Sequence, residues 1–110
     1  MRGVEISAEA TRDLLVKDAG SVLLIDCRTA REHAVARIEG ALLVTLQEME
    51  ARAEEIAEAA AGREVVVFCH HGVRSLSAVE LLRRAGVGAR SMAGGIDAWS
   101  LRVDPAVPRY

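Results

Sequence analysis

Residues 65–68, Val-Val-Val-Phe, form the segment that most constrains the fold of this chain. They make a short, unbroken apolar run, and Cys69 follows it directly. Such a run suits a strand that is buried on both faces, and strands of this kind belong to parallel sheets covered by helices. The pattern therefore predicts an α/β fold. Cys69 would lie at the carboxyl end of a central strand, where open α/β sheets bind ligands.

The segment after Cys69 predicts a tight loop that leads into a helix. Between Cys69 and Arg74 lie His70, His71, Gly72 and Val73. Gly72 permits the positive φ that a tight loop needs, and the amphipathic segment that we expect to be helical begins at Ser75. The backbone N–H groups of this loop and the N-terminus of the helix would point at one spot and favour an anion there.

This environment makes Cys69 a candidate nucleophile. A thiol beside converging N–H groups and an arginine ionises more easily than a free cysteine, whose pKa is about 8.5. The alternative is that Cys69 is a small buried hydrophobe that closes the strand. Gly72 and Arg74 favour the nucleophile, because Arg74 adds a permanent charge and a fixed fork of donors.

The motif Cys69-x-x-Gly72-x-Arg74-Ser75 resembles the active-site loop of rhodanese domains, which are sulfurtransferases that carry sulfur as a cysteine persulfide. The resemblance implies that Cys69 is catalytic and that residues 70–75 bind the persulfide. Protein tyrosine phosphatases and dual-specificity phosphatases place one more residue between the cysteine and the arginine. The shorter loop of this chain therefore favours a single added sulfur over a phosphoryl group.

A second buried strand, predicted over residues 22–25, ends in Asp26, Cys27 and Arg28. We expect Asp26 to cap the following turn and Arg28 to pair with a nearby carboxylate such as Glu32. The pattern Asp26-x-Arg28-x-x-x-Glu32 is similar to a signature of the N-terminal half of rhodanese domains. The resemblance implies that these three residues support the framework beside the active loop and do not take part in catalysis.

Two further segments extend the resemblance. Ile38, Gly40 and Ala41 match part of a Gly-His-Ile-Pro-Gly-Ala segment whose histidine and proline are absent here, and Gly94-Gly95-x-x-x-Trp99 matches the C-terminal signature. The resemblance thus covers nearly the whole chain. It implies one rhodanese-like α/β domain over residues 1–110, with a small, five-stranded, mostly parallel sheet and helices on both faces.

Helical periodicity adds detail to this prediction. Ser7 is expected to cap a helix that runs to about Lys17, and a second helix is expected over residues 46–60, with Ala57 on its apolar face. In the helix after the loop, the predicted core residues are Leu76, Val79, Leu82 and Ala85. The tail, residues 104–110, is expected to be extended. It resembles the ending of rhodanese domains found alone or fused to ubiquitin-activating-like adenylyltransferases, which suggests sulfur relay.

Cys27 is expected to be a buried thiol, since a structural disulfide is rare in a reducing compartment. A role in resolving the Cys69 persulfide as a disulfide would require adjacent strand ends. For His70 and His71 we expect no metal, because adjacent ligands rarely converge on one ion. Their side chains either rim the pocket mouth and attract an anionic donor, or are exposed while only their backbones contribute.

Composition limits the classes of function. The chain has 110 residues, which suits one domain, and its formal charge of −2 gives no drive toward nucleic acid or anionic membranes. It has no apolar segment near the roughly 20 residues needed to cross a bilayer. We therefore expect a cytoplasmic protein without nucleic-acid or membrane partners and without a cofactor.

The expected activity is that of a thiosulfate sulfurtransferase-like enzyme. Cys69 would take a sulfane sulfur from a small anionic donor such as thiosulfate and pass it to a thiol or cyanide-like acceptor. A sulfur-relay protein is a further expected partner. Two alternatives stay open: a non-catalytic binding module on a rhodanese scaffold, and a cysteine-dependent phosphatase or arsenate reductase.

Overall fold

The computed structural model describes residues 3–110, in which strands and helices alternate. The strands are β1 (Glu5–Ile6), β2 (Val22–Asp26), β3 (Leu42–Leu43), β4 (Glu64–Phe68) and β5 (Ala89–Met92). The α-helices are α1 (Ala8–Lys17), α2 (Ala30–Val35), α3 (Ala53–Ala60), α4 (Val73–Arg84) and α5 (Gly95–Arg102). Short 3₁₀ turns span Ala19–Ser21 and Leu46–Glu48. The predicted α/β class is confirmed.

The strands form one sheet in the order β1-β5-β4-β2-β3, and every pair of neighbouring strands in it is parallel. The strand β4 is therefore central, as its apolar sequence predicted. It pairs with β2 along the full length of both strands, from Val22 opposite Glu64 to Asp26 opposite Phe68. The carboxyl ends of β2 and β4 consequently lie side by side.

Two apolar cores cover the two faces of the sheet. Successive side chains of a strand point to opposite faces. On β4, Val65 and Val67 pack with α3 and α4, while Val66 and Phe68 pack in the second core with residues of α1 and α5. Cys69 continues the first of these two alternating rows. The predicted coverage of both faces by helices is confirmed.

The first helix follows the prediction and the third does not. Ser7 caps α1 by accepting a hydrogen bond from the Ala10 N–H at 3.0 Å. The expected helix over residues 46–60 is divided into a 3₁₀ turn and α3, and Ala57 is exposed. Side-chain bonding between Thr45 and Glu48 at 2.9 Å closes the 3₁₀ turn locally, a common competitor of helix formation.

The helix after the loop that follows Cys69 begins two residues earlier than predicted, at Val73. Gly72 is its N-cap and has a φ of +100°. The predicted core stripe is right at Val79 and Leu82 but wrong at Ala85, which lies beyond the helix end and is exposed. It is also wrong at Leu76, which is 39% exposed. The earlier start puts Arg74 and Ser75 in the first turn of α4.

The tail after α5 folds back over the domain and is only partly extended. A turn in which the Val107 N–H donates to the Asp104 carbonyl at 3.1 Å interrupts it. Val107 is buried, and its carbonyl accepts a hydrogen bond from the Ser100 hydroxyl at 2.6 Å. This anchoring brings Tyr110 to the carboxyl edge of the sheet. Across residues 3–110, none of the helices has the length and apolar character that a membrane crossing requires.

Candidate active site

Cys69 follows the central strand directly, and its sulfur is enclosed by the loop that leads into α4. The backbone N–H of Gly72 donates to Sγ at 3.1 Å, and that of Ser75 lies 3.4 Å from it. The hydroxyl of Ser75 is also 3.4 Å from the sulfur. Cys69 is only 1% exposed. The expected group of N–H donors is thus present around the sulfur at two of the loop residues.

The hydroxyl of Ser75 is held by a residue that the sequence analysis missed. Ser91 lies on β5, and its Oγ is 2.6 Å from the Oγ of Ser75. Both serines are fully buried. Because Ser91 supplies a partner for the Ser75 hydroxyl, this pair orients that hydroxyl in the first turn of α4, next to the sulfur. The sequence offered one indication of this role, which is that Ser91 is a small polar residue in a weakly apolar strand.

Cys27 lies beside Cys69, just beyond the end of the neighbouring strand. Hydrogen bonding between the two thiols is the largest influence that lowers the pKa of Cys69, to about 4. Further hydrogen bonds from the Ser75 hydroxyl and from the N–H groups of Ser75 and Gly72 also lower it, against the opposing effect of burial. The same bond, together with burial, raises the pKa of Cys27. The negative charge therefore sits on Cys69, and Cys27 keeps its proton.

The N-terminus of α5 fixes the loop from behind. The N–H groups of Ile96 and Asp97 donate to the carbonyls of Cys69 and His70 at 2.8 and 3.1 Å. Gly95 makes this approach possible, because a Cβ on it would lie 2.4 Å from both carbonyl oxygens. The paired glycines of the C-terminal signature thus allow α5 to pack closely against the loop that follows Cys69.

Arg74 is bound by Glu32, which comes from α2. Its two terminal nitrogens donate to the two carboxylate oxygens at 2.6 and 2.9 Å. These hydrogen bonds are the largest cause of a lowered pKa of Glu32, and a bond from Tyr110 lowers it further. The guanidinium is thus held in a bidentate ion pair, a geometry that a lysine cannot reproduce.

The prediction that Arg28 pairs with Glu32 is wrong. Arg28 is fully buried and binds Asp26, with Nε and one terminal nitrogen donating to the two carboxylate oxygens at 2.9 and 2.8 Å. The pairing is local, because the two residues flank the end of β2. Asp26 also caps the turn as expected, since it accepts the Arg28 N–H at 3.0 Å. His33 Nδ1 lies 2.8 Å from the same carboxylate.

Tyr110 connects the framework to the loop, and no sequence pattern indicated this role. Its hydroxyl donates to Glu32 at 2.7 Å and accepts from Arg28 at 2.8 Å. Its ring stacks on His70, with centroids 3.9 Å apart and planes 7° from parallel. Asp26, Arg28, Tyr110, Glu32 and Arg74 therefore form one continuous chain of hydrogen bonds that ends at the active loop.

The two histidines differ in exposure. The His71 side chain is 63% exposed, whereas His70 is half-buried between Tyr110 and His71. The ligand atoms of both histidines and of Asp97 lie within 4.8 Å of one another. The two imidazoles are stacked 25° from parallel. Since nitrogen lone pairs lie in the ring planes, stacked rings are poorly directed at a common ion. Val73, the remaining loop residue, is 74% exposed.

These features define an α/β domain in which a cysteine with a lowered pKa lies at the carboxyl end of the central strand. The family model described as "Rhodanese-like domain" matches residues 7–102, and the chain belongs to that family. A sulfurtransferase of Allochromatium vinosum is 36% identical over 104 residues, which cover 94% of each chain. The solved structure of the human single-domain sulfurtransferase TSTD1 is 30% identical, with a TM-score of 0.74, covering 90% of this chain and 96% of that one.

A larger relative contains the domain as one part. The adenylyltransferase and sulfurtransferase MOCS3-1 of Zea mays is 36% identical over 101 residues, which are 87% of this chain. The chain spans about a fifth of the length of that maize protein, since the match covers 22% of it. The family resemblance drawn from the loop motif is confirmed.

Proposed function

We propose that this protein is a sulfurtransferase that carries a sulfane sulfur as a persulfide on Cys69. The observation that carries the proposal is the set of hydrogen-bond donors on its sulfur: the N–H groups of Gly72 and Ser75 and the Ser75 hydroxyl. Only a thiolate is a strong sulfur nucleophile. The sulfurtransferase relatives support the same class of reaction.

The reaction has two steps. In the first, the Cys69 thiolate attacks the outer sulfur of a small anionic donor such as thiosulfate, an S–S bond forms on Cys69, and sulfite leaves with the electron pair of the broken bond. In the second, a thiol or cyanide attacks the outer sulfur of the persulfide and regenerates the thiolate. The remaining N–H groups of the loop and the dipole of α4 stabilise the negative charge of the outer sulfur.

Arg74 acts in this proposal mainly as a positioning residue. Both of its terminal nitrogens are used by Glu32, whose charge compensates its own. The pair fixes the first turn of α4, and with it the N–H group of Ser75. The Arg74 side chain is still 37% exposed, so an anionic donor in solution can approach it. Asp26, Arg28 and Glu32 support this arrangement from the framework.

The alternatives fit the site less well. A phosphatase would need room for a phosphoryl group. The loop here has four residues between Cys69 and Arg74, and Gly72 packs so closely on Gly94 that a Cβ would lie 3.1 Å from the Gly94 nitrogen. A purely structural binding module has no use for an ionised, buried cysteine. The name of the maize relative pairs adenylyltransferase with sulfurtransferase, which supports a sulfur-relay protein as the partner.

The test is intact-mass measurement after incubation with thiosulfate and rapid desalting. We expect a gain of one sulfur atom that dithiothreitol removes, and no gain in Cys69→Ser. Ser77→Ala serves as a matched control, because Ser77 lies exposed on the same helix. A wild-type chain that gains no sulfur from thiosulfate or from an organic persulfide would overturn the proposal. Release of phosphate from an aryl phosphate would revive the phosphatase.

A further inference from the structure

Cys27 and Cys69 occupy neighbouring positions just beyond two paired strands. Asp26 on β2 lies opposite Phe68 on β4, and the Cys27 N–H donates to the Phe68 carbonyl at 3.0 Å. The next residue of each strand is a cysteine. Neighbouring strands are about 4.8 Å apart, and a disulfide needs Cα atoms about 4.4–6.8 Å apart. The backbone thus already provides the separation that a disulfide requires.

The two side chains also point the same way. Both cysteines belong to the core between the sheet and the helices α3 and α4, and each is 1% exposed. Hydrogen bonding between the two thiols is also the largest influence on the pKa of each. The chain contains two cysteines in all. Cys27 is therefore the cysteine of this chain that can reach Cys69 from within the core.

We propose that Cys27 is a resolving thiol, which attacks the persulfide of Cys69, forms an intramolecular disulfide and releases sulfide. This inference rests on the sulfurtransferase function proposed above. The Cys27 sulfur attacks the Cys69 sulfur, the bond to the outer sulfur breaks, and that outer sulfur leaves with the electron pair. The Cys27 proton passes to the departing sulfide. The persulfide is the oxidant of this step, so no further oxidant is consumed.

The charge on Cys69 controls when Cys27 can react. In the unloaded protein, the Cys69 thiolate accepts a hydrogen bond from Cys27, and this bond, burial and the negative charge of Cys69 raise the pKa of Cys27. Cys27 then stays protonated and does not compete for the donor. Loading moves the negative charge to the outer sulfur, which is farther from Cys27. The pKa of Cys27 then falls, because the nearby negative charge that raised it has moved away. Cys27 becomes reactive when there is a persulfide to resolve.

The consequence is a second outcome for the bound sulfur. An acceptor that arrives promptly takes it, whereas a persulfide left without an acceptor is discharged as sulfide. The disulfide that results blocks further loading until a dithiol reductant opens it by thiol–disulfide exchange. The protein would then have two activities: sulfur transfer to an acceptor and a slower release of sulfide. Without a dithiol each chain releases sulfide once, and with a dithiol the release becomes catalytic.

The experiment follows the loaded wild-type chain and its Cys27→Ser variant over time without reductant, by intact mass and by a sulfide electrode. In the wild type we expect the added sulfur to disappear, one sulfide to be released per chain, and a species two hydrogens lighter than the dithiol form to accumulate. Tryptic digestion should join the peptides 18–28 and 64–74, which carry the two cysteines. In Cys27→Ser the persulfide should last about tenfold longer or more.

The outcomes separate the two proposals. If neither chain gains a sulfur, the sulfurtransferase function itself fails. If the wild type gains a sulfur but keeps it without forming the 18–28 to 64–74 link, the resolving role of Cys27 fails while the function stands. This second result is obtained from the wild type alone, so it does not depend on whether Cys27→Ser folds or loads normally.

Discussion

Glu32 and Arg74 are 42 residues apart in the sequence, yet the carboxylate of one binds the guanidinium of the other through two parallel hydrogen bonds of 2.6 and 2.9 Å. The pair joins α2 to the first turn of α4. Because the turn that contains Arg74 also contributes the Ser75 N–H to the Cys69 sulfur, the ion pair helps to fix the position of a donor on that sulfur.

Replacing Glu32 with glutamine should impair sulfur loading. A neutral amide accepts only one of the two hydrogen bonds and leaves the charge of Arg74 uncompensated. We expect the second-order rate constant with thiosulfate to fall about tenfold, and the stability to urea to fall by about 1–2 kcal/mol. Glu58→Gln is the matched control, because Glu58 is an exposed residue of α3. Equal rates in the two variants would contradict the positioning role.

Arg74→Lys should load sulfur more slowly than the wild type, although the lysine preserves the positive charge. The ammonium group is a point donor and cannot form the bidentate pair with Glu32. We expect the loading rate of Arg74→Lys to resemble that of Arg74→Ala more closely than that of the wild type. Stopped-flow measurement of sulfite release distinguishes these cases. A nearly normal rate for the lysine variant would show that Arg74 acts through its charge alone. Arg31→Lys, at an exposed position of α2, controls for the exchange itself.

The loading rate should change little between neutral pH and about pH 5. The pKa of Cys69 is lowered to about 4, chiefly by the hydrogen bond from Cys27. A group with a lowered pKa keeps its charge as the pH falls, and loses it only when the pH passes through that lowered value. The rate should therefore fall toward pH 4 and not near the usual thiol pKa of about 8.5. Thiolate absorbance in the ultraviolet gives the same titration without substrate.

Ser75→Ala should move this titration to higher pH. The variant removes the hydroxyl that lies 3.4 Å from the Cys69 sulfur and leaves the Ser75 N–H in place. We expect the pKa of Cys69 to rise by about one unit, which corresponds to about 1.4 kcal/mol. Below neutral pH, the variant should therefore load sulfur more slowly than the wild type. Its loading rate should recover as the pH rises and Cys69 ionises. Ser77→Ala is the control on the exposed face of the same helix, and an unchanged titration in Ser75→Ala would exclude the hydroxyl as a cause.

Gly95→Ala should destabilise the protein. The backbone of Gly95 has a φ of +59°, and an added Cβ would lie 2.4 Å from the carbonyl oxygens of Cys69 and His70. Relief of this clash requires the loop and α5 to separate, which we expect to cost about 3 kcal/mol of unfolding free energy in urea. Gly88→Ala is matched, since Gly88 has nothing within 4 Å of the same added atom. Similar urea midpoints of unfolding for Gly95→Ala and Gly88→Ala would rule out this close contact.

The sequence predicts the parts of the fold that depend on local patterns. The apolar run before Cys69 indicates a central parallel strand, and Gly72 indicates the tight turn after it, because both signals lie within a few residues of their effect. The partner of Arg28 could not be predicted in this way. Glu32 is at helical spacing from Arg28, but Asp26 is nearer once β2 ends in a turn, and this depends on the path of the backbone.

The contacts that complete the site are long-range and carry no sequence signature. Ser91 reaches Ser75 because β5 neighbours β4, and Cys27 reaches Cys69 because β2 lies on the other side. Tyr110 reaches the site because a turn interrupts the tail, residues 104–110, which was predicted to be extended. Strand order and side-chain direction decide all three contacts. Residue types alone allow the candidate active-site loop to be predicted but not the residues that hold it in place.

The hydrogen bonds from Ile96 and Asp97 to the carbonyls of Cys69 and His70 have a consequence for biosynthesis. The ribosome makes the loop before it makes α5. Until α5 has emerged and docked, the loop lacks the support that keeps its amides around the sulfur, and the thiol should behave as that of an ordinary cysteine. The lowered pKa of Cys69 is therefore a property of the folded domain, which the nascent chain acquires only after α5 has docked.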